Sequence, residues 1–285
     1  MNDLGQCFFP RSIRIPLTLP VLLGMSVQLS GCGAASSAAP PGMKLVWADE
    51  FNGGGAPDPD KWDFDLGGRG WGNNEIQHYT DSRSNSYVRG GSLHIAARNE
   101  NGRWTSARLK TKGKADWTYG YFEIRAKLPA GTGTWPAIWM LPSADAYGPW
   151  PNSGEIDIME HVGFDPNRIH TTAHTGAFNH RINTQKTKSA PIEKAAERFH
   201  IYGMTWDKDR IQWSIDGEPF FQFEPTGKNP AEWPFDKPFH LVLNVAIGGS
   251  WGGQHGVDPA LREAVMEIDY VRVYQSKVPN PDPPR

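Results

Sequence analysis

Three carboxylates fall within six residues of one short apolar segment, Gly154-Glu-Ile-Asp-Ile-Met-Glu-His161: they are Glu155, Asp157 and Glu160. Crowding of this kind is costly, because like charges repel and burial strips them of water. It becomes useful when the groups hold different protonation states. An ionised carboxylate can attack an anomeric carbon while a protonated neighbour hands its proton to the departing oxygen, the two tasks that cleavage of a glycosidic bond with retention requires. A third carboxylate between them can share a proton with the attacking group and, by its charge, keep the acid protonated. Two other readings use the same residues. One is a cation site, although calcium ligands usually come from carbonyl-rich loops; the other is a solvent-facing acidic strand.

A strand must position these groups. Glu155 and Asp157 are two residues apart and share a face, while Ile156 and Ile158 enter the opposite layer. Plain alternation would send Glu160 into that apolar layer. One extra residue around Ile158-Met159, a β-bulge, returns it to the face of its partners. The glutamates are then roughly 13 Å apart along the backbone, and inward-leaning side chains bring a gap of about 5 Å within reach. The wider gap of an inverting pair stays open.

The rest of the body, Leu45 to Tyr274, reads as short strands separated by turns. Phe122, Ile124, Ala126 and Leu128 alternate with Glu123, Arg125 and Lys127, the period of a strand with one buried face. Ile211–Ile215 and Phe220–Phe223 flank Asp216-Gly217, a hairpin signal. Phe239–Ile247 and Met266–Tyr274 are further strands, and Ile192–Arg198 is the one helix-like stretch. No glycine fingerprint, strand–helix alternation or internal repeat is present, which excludes nucleotide-binding and solenoid folds. Many antiparallel strands in one domain imply a two-sheet sandwich.

Composition narrows the partners. A net charge of -2 offers no footprint for nucleic acid. Twelve tryptophans exceed what a core usually needs; about half should fill it, and flat rings left over suit the apolar faces of sugars. A monomer is expected. Arg11 and Arg14 precede the apolar run Leu17–Val27, which is too short for a ~20-residue membrane span and reads as a secretory signal. Leu29-Ser-Gly-Cys32 resembles a bacterial lipobox, with Cys32 the lipidated residue, so residues 1–32 form the signal and 33–43 a flexible tether. Export and lipid anchoring to the cell envelope, at the outer membrane or cell surface, are the expectation. The other cysteine, Cys7, lies in the signal, leaving the mature domain without thiols. The Pro-rich residues 276–285 should be disordered.

The acidic segment and its companions resemble glycoside hydrolase family 16, in its bacterial laminarinase-like (endo-1,3-β-glucanase) branch. Those companions are Leu45-Val-Trp-Ala-Asp-Glu-Phe-Asn52, Gly70-Trp-Gly-Asn-Asn-Glu75, Ser106-Ala-Arg-Leu109, Thr134-Trp-Pro-Ala-Ile-Trp-Met-Leu141, His174-Thr-Gly-Ala-Phe-Asn-His180, Trp233-Pro-Phe-Asp236 and Asp269-Tyr-Val-Arg-Val-Tyr274. The resemblance implies an all-β jelly-roll sandwich, residues 44–275, with a concave substrate cleft and no cofactor in catalysis. It makes Glu155 the nucleophile, Glu160 the acid/base and Asp157 the assisting carboxylate of an endo-acting enzyme on β-1,3-glucan. Glutamates five apart, rather than four, disfavour the branch specialised for mixed-linkage glucan. By the same resemblance Trp135 and Trp139 line glucose subsites, Asn73, Arg108, Trp251 and Gln185 contact sugar, and His174 lies near the assisting aspartate. It also implies a structural calcium at Glu50, the carbonyl near Gly91, and Asp269. Val257–Met266 departs from the family pattern, where a Phe-Pro turn is common, so the resemblance does not fix the local loop or that end of the cleft, while the catalytic strand is unaffected. Two alternatives remain: another polysaccharide such as agar or carrageenan, and a non-catalytic glucan-binding sandwich.

Overall fold

The computed structural model describes residues 40–277 except 228. The signal segment with Cys32, the tether as far as residue 39 and the tail beyond residue 277 lie outside the described residues. Among the described residues no helix is long and apolar enough to cross a membrane.

Two sheets form a sandwich. One has ten strands, in the order Glu218–Phe223, Ile211–Ile215, His200–Trp206, Gly120–Lys127, Glu263–Ser276, Ser92–Glu100, Arg103–Ser106, His78–Tyr79; Met43–Asp49 joins at Glu263–Ser276 and Ser86–Arg89 at Ser92–Glu100. The other has seven: Lys186–Pro191, Arg168–His174, Glu155–His161, Thr134–Pro142, Phe239–Ile247, Arg108–Lys110, Asp63–Phe64. Pairing is antiparallel except where His78–Tyr79 runs parallel to Arg103–Ser106. Phe122, Ile124 and Ala126 of the larger sheet meet Ile138, Met140 and Ile156 of the smaller one, all fully buried, so one core lies between the layers. Burying each large apolar side chain contributes about 1.5–3 kcal/mol.

The local signals map directly onto backbone. Asp216 and Gly217 take φ of 51° and 87° and close the expected hairpin between Ile215 and Glu218. Ile192–Arg198 is a correction: it is a single turn, not a helix. Lys194 sits at φ 58°, and one Arg198 N–H bond to the Lys194 carbonyl is too little to nucleate a helix. Ile192 and Ala195 turn into the core instead.

The acidic strand carries the bulge. Asp157 pairs with Thr172 but Glu160 pairs with His170, and the ladder to Thr134–Pro142 slips at the same place. Ile158 and Met159 are both buried. Thr171 Oγ1 donates to the Asp157 carbonyl at 2.6 Å and Trp213 Nε1 donates to the same oxygen at 3.0 Å, satisfying backbone that the slipped ladder leaves unpaired.

Candidate active site

The outer face of the seven-stranded sheet gathers the carboxylates. Glu155 Oε2 accepts a hydrogen bond from Trp150 Nε1 at 3.1 Å, and Glu160 Oε1 accepts one from Trp135 Nε1 at 3.0 Å. His174, directly across the ladder from Glu155, places Nε2 3.7 Å from Glu155 and 3.5 Å from Asp157. Ligand-type atoms of Glu155, Asp157 and His174 lie within 4.8 Å of one another, close enough to share one positive charge, whether a proton or a cation. Asp157 Oδ2 is buried without a hydrogen-bond partner, as is His174 Nδ1.

Rings line the sheet on either side. Trp139 donates through Nε1 to Asn244 Oδ1 at 2.7 Å, and the Arg108 guanidinium lies 4.7 Å from its ring and 4.8 Å from that of Trp71. Asp65 holds Arg108 at 3.0 Å and Lys110 at 2.5 Å, so the arginine is clamped between two indoles and shares one carboxylate with the lysine. At the other end Trp251 meets Trp135 edge to face at 5.5 Å. The Asn73 carbonyl accepts from Ser250 N at 2.6 Å, tying the loop of Asn73 to that of Trp251. Gly249, φ 79°, lets this junction close: a Cβ there would sit 3.1 Å from the Trp135 ring and 3.2 Å from the Asn73 carbonyl. Gln185 precedes Lys186, the ladder partner of Ala173, one step from His174; its buried Oε1 lacks a partner. A cavity of about 320 Å³ opens beside Trp150, lined by Lys110, Lys112, Leu141, Asp145 and His240 among others.

The site residues anticipated from sequence therefore converge, with the calcium set apart. Glu50 accepts two hydrogen bonds from Arg272, at 2.7 and 2.8 Å, and Asp269 pairs with Arg125 at 2.6 Å. Gly91 occupies the turn between Ser86–Arg89 and Ser92–Glu100. Guanidinium groups already neutralise both carboxylates, and this arrangement does not fit a calcium ion between them. Sequence reading missed Trp150, Trp71 and Glu75. Glu75 is gripped by Gln77 Nε2 at 2.6 Å and by the Tyr79 hydroxyl at 3.3 Å. Five of the six tryptophans outside the core, Trp71, Trp135, Trp139, Trp150 and Trp251, are the rings of this face, and this surplus was the one compositional signal for them.

Electrostatics set the protonation. Burial raises Glu155, Asp157 and Glu160 alike, Glu160 to about 8, and Asp157 beside Glu160 adds to the rise. At both glutamates His174 and an indole N–H, from Trp150 at Glu155 and from Trp135 at Glu160, pull the other way without cancelling the rise. Three neighbouring carboxyls cannot all ionise cheaply, so protons are retained near neutrality. A carboxyl raised in the folded state stabilises below its unfolded value, and that stability is lost as pH climbs through the folded value near 8. Asp157→Asn should therefore raise the melting temperature at pH 8 by at least ~3 °C and leave it unchanged at pH 4. Calorimetry at both pH values checks this; equal destabilisation at both would show that the carboxylate stabilises the fold.

Residues 72–272 match the family described as Glycosyl hydrolases family 16. A beta-glucanase of Rhodothermus marinus is 51% identical, over 92% of this chain and 94% of its own length. A glucan endo-1,3-beta-glucosidase of Cryptopygus antarcticus is 40% identical, over 90% of this chain and 97% of its own length. Among solved structures, the laminarinase from Rhodothermus marinus superposes with a TM-score of 0.79 at 52% identity, covering 82% of this chain and 98% of that one. A non-specific endo-beta-1,3(4)-glucanase co-crystallized with 1,3-beta-D-cellotriosyl-glucose gives a TM-score of 0.79 at 48% identity, with 84% and 97% covered.

Proposed function

This chain belongs to glycosyl hydrolases family 16, and from that premise we propose that it cuts β-1,3-glucosidic bonds within laminarin-like glucans by double displacement, with Glu155 as nucleophile and Glu160 as acid/base. The observation that carries the reading is the pair of indole N–H bonds to Glu155 and Glu160 on one face of a bulged strand. In the first step a Glu155 oxygen bonds to the anomeric carbon as the glycosidic C–O bond breaks. The Glu160 proton passes to the leaving oxygen, so no free alkoxide forms. In the second step Glu160 takes a proton from water, whose oxygen displaces Glu155. Asp157 has no hydrogen-bond donor on its buried Oδ2, so a proton on that oxygen is available to Glu155 as its charge is spent and regained.

Chain-internal cleavage follows from an open face rather than a blind pocket. The rings on this face run from Trp71 and Arg108 past Trp139 to Trp135, four strand steps or roughly 13 Å further along, and on to Trp251. A retaining enzyme releases β-anomer first. Proton NMR during the first minutes of laminarin hydrolysis should show the β-anomer of the new reducing end ahead of mutarotation; α-anomer first would mean inversion and remove Glu155 as nucleophile.

A further inference from the structure

Glu160 has one donor, Trp135, and that indole rests on little of its own strand. Ala137, the next residue on the same face, is too small to brace an indole, and the bracing comes from the facing loop, where Gly249 and Gly252 pack close and Trp251 meets the ring edge to face at 5.5 Å. Trp251 belongs to a run of turns, residues 249–255, with no ladder to hold it. Its other neighbour is His170, whose ring meets it at 4.8 Å and 84°. His170 is fixed in the Arg168–His174 strand as the direct cross-strand partner of Glu160. Directly opposed side chains in such a ladder lie about 4.5–5.5 Å apart at Cβ. The four groups therefore close a ring: Glu160, Trp135, Trp251, His170 and back through the ladder.

We propose that His170 is a positioning residue for the proton donor: it anchors Trp251 to the sheet, Trp251 seats Trp135, and the Trp135 N–H aims the Glu160 carboxyl. The proposal rests on Glu160 being the acid. Its effect is geometric, since burial lowers His170 and leaves the ring uncharged at neutral pH, with no cation to lend to Glu160. The far side of the same loop is pinned separately by Phe164 against His255 at 4.6 Å, so removing the His170 ring loosens one contact and spares the loop as a whole.

A misaimed acid matters in proportion to how badly the leaving group needs a proton. Two aryl β-laminaribiosides separate this from loss of binding or folding: the 4-methoxyphenyl glycoside, whose phenoxide leaves poorly, and the 2,4-dinitrophenyl glycoside, whose phenoxide leaves unaided. His170→Ala should lose about 10-fold or more in kcat/KM on the first and less than about 2-fold on the second, part of the 10²–10⁴-fold that general acid catalysis supplies. His170→Phe, which restores an edge against Trp251, should recover most of the loss. His170→Asn, polar but without a ring, should repeat the split, and it carries the test should the alanine variant not fold. Equal losses on both glycosides, or none on the methoxyphenyl one, overturn the proposal. Glu160→Ala measured beside them keeps the two ideas apart. If it splits the substrates and His170→Ala does not, the positioning role alone falls; if it shows no split, the acid assignment fails and takes this proposal with it.

Discussion

Glu155→Ala is expected to reduce kcat on laminarin by on the order of 10⁴-fold or more while leaving oligosaccharide binding intact. The side chain lies on the outer face, with its partners Trp150 and His174 held by other elements, so its removal leaves a small vacancy rather than a collapsed strand. That vacancy makes the test specific. Azide fits where a carboxylate oxygen was and attacks the anomeric carbon from the same side, so an activated aryl β-laminaribioside should be turned over again, yielding the α-glycosyl azide. A β-glycosyl azide from this variant would place the nucleophile elsewhere.

Glu160→Ala should give the complementary pattern. With the nucleophile intact and the acid gone, cleavage of laminarin should fall by about 10²–10⁴-fold. The dinitrophenyl glycoside should still form its glycosyl-enzyme rapidly, in a burst, because its leaving group needs no proton. The second step then lacks its base, and azide, which needs none, should restore turnover as the β-glycosyl azide. Opposite azide anomers from the two variants would assign both carboxylates at once; the same anomer from both would refute the division of labour. Trp135 adds a structural reason to expect the burst: its N–H is bound to Glu160 and not to Glu155, so the nucleophile keeps its own donor, Trp150.

The parts of this site that were legible in the sequence are those governed by short-range periodicity. Glu155 and Asp157 two apart, Ile156 and Ile158 between them, and Glu160 one step out of phase together demand an extended strand with a bulge. Any other backbone would bury a carboxylate in the apolar layer, a cost of several kcal/mol. Phe122, Ile124 and Ala126, and the Asp216-Gly217 turn, are equally local and emerged as expected. Ile192–Arg198 shows where local pattern misleads: its apolar spacing suits a helix, but Ile192 and Ala195 gain more by entering the core from a tight turn.

What the amino-acid order determined by itself is thus the strand, its bulge and the three acids, because alternation and turn chemistry act between residues a few positions apart. What only the folded chain decided is who stands beside them. Trp139 meets Asn244 across 105 positions, Glu160 meets Trp135 across 25, and Arg272 reaches Glu50 across 222 to take a carboxylate that family resemblance assigns to calcium. Trp150 and Glu75 look like any loop residues until the sheets close. Protonation states belong to this second group as well, since the rise at Glu160 comes chiefly from burial, and that burial exists only once distant segments have closed around the outer face of the sheet.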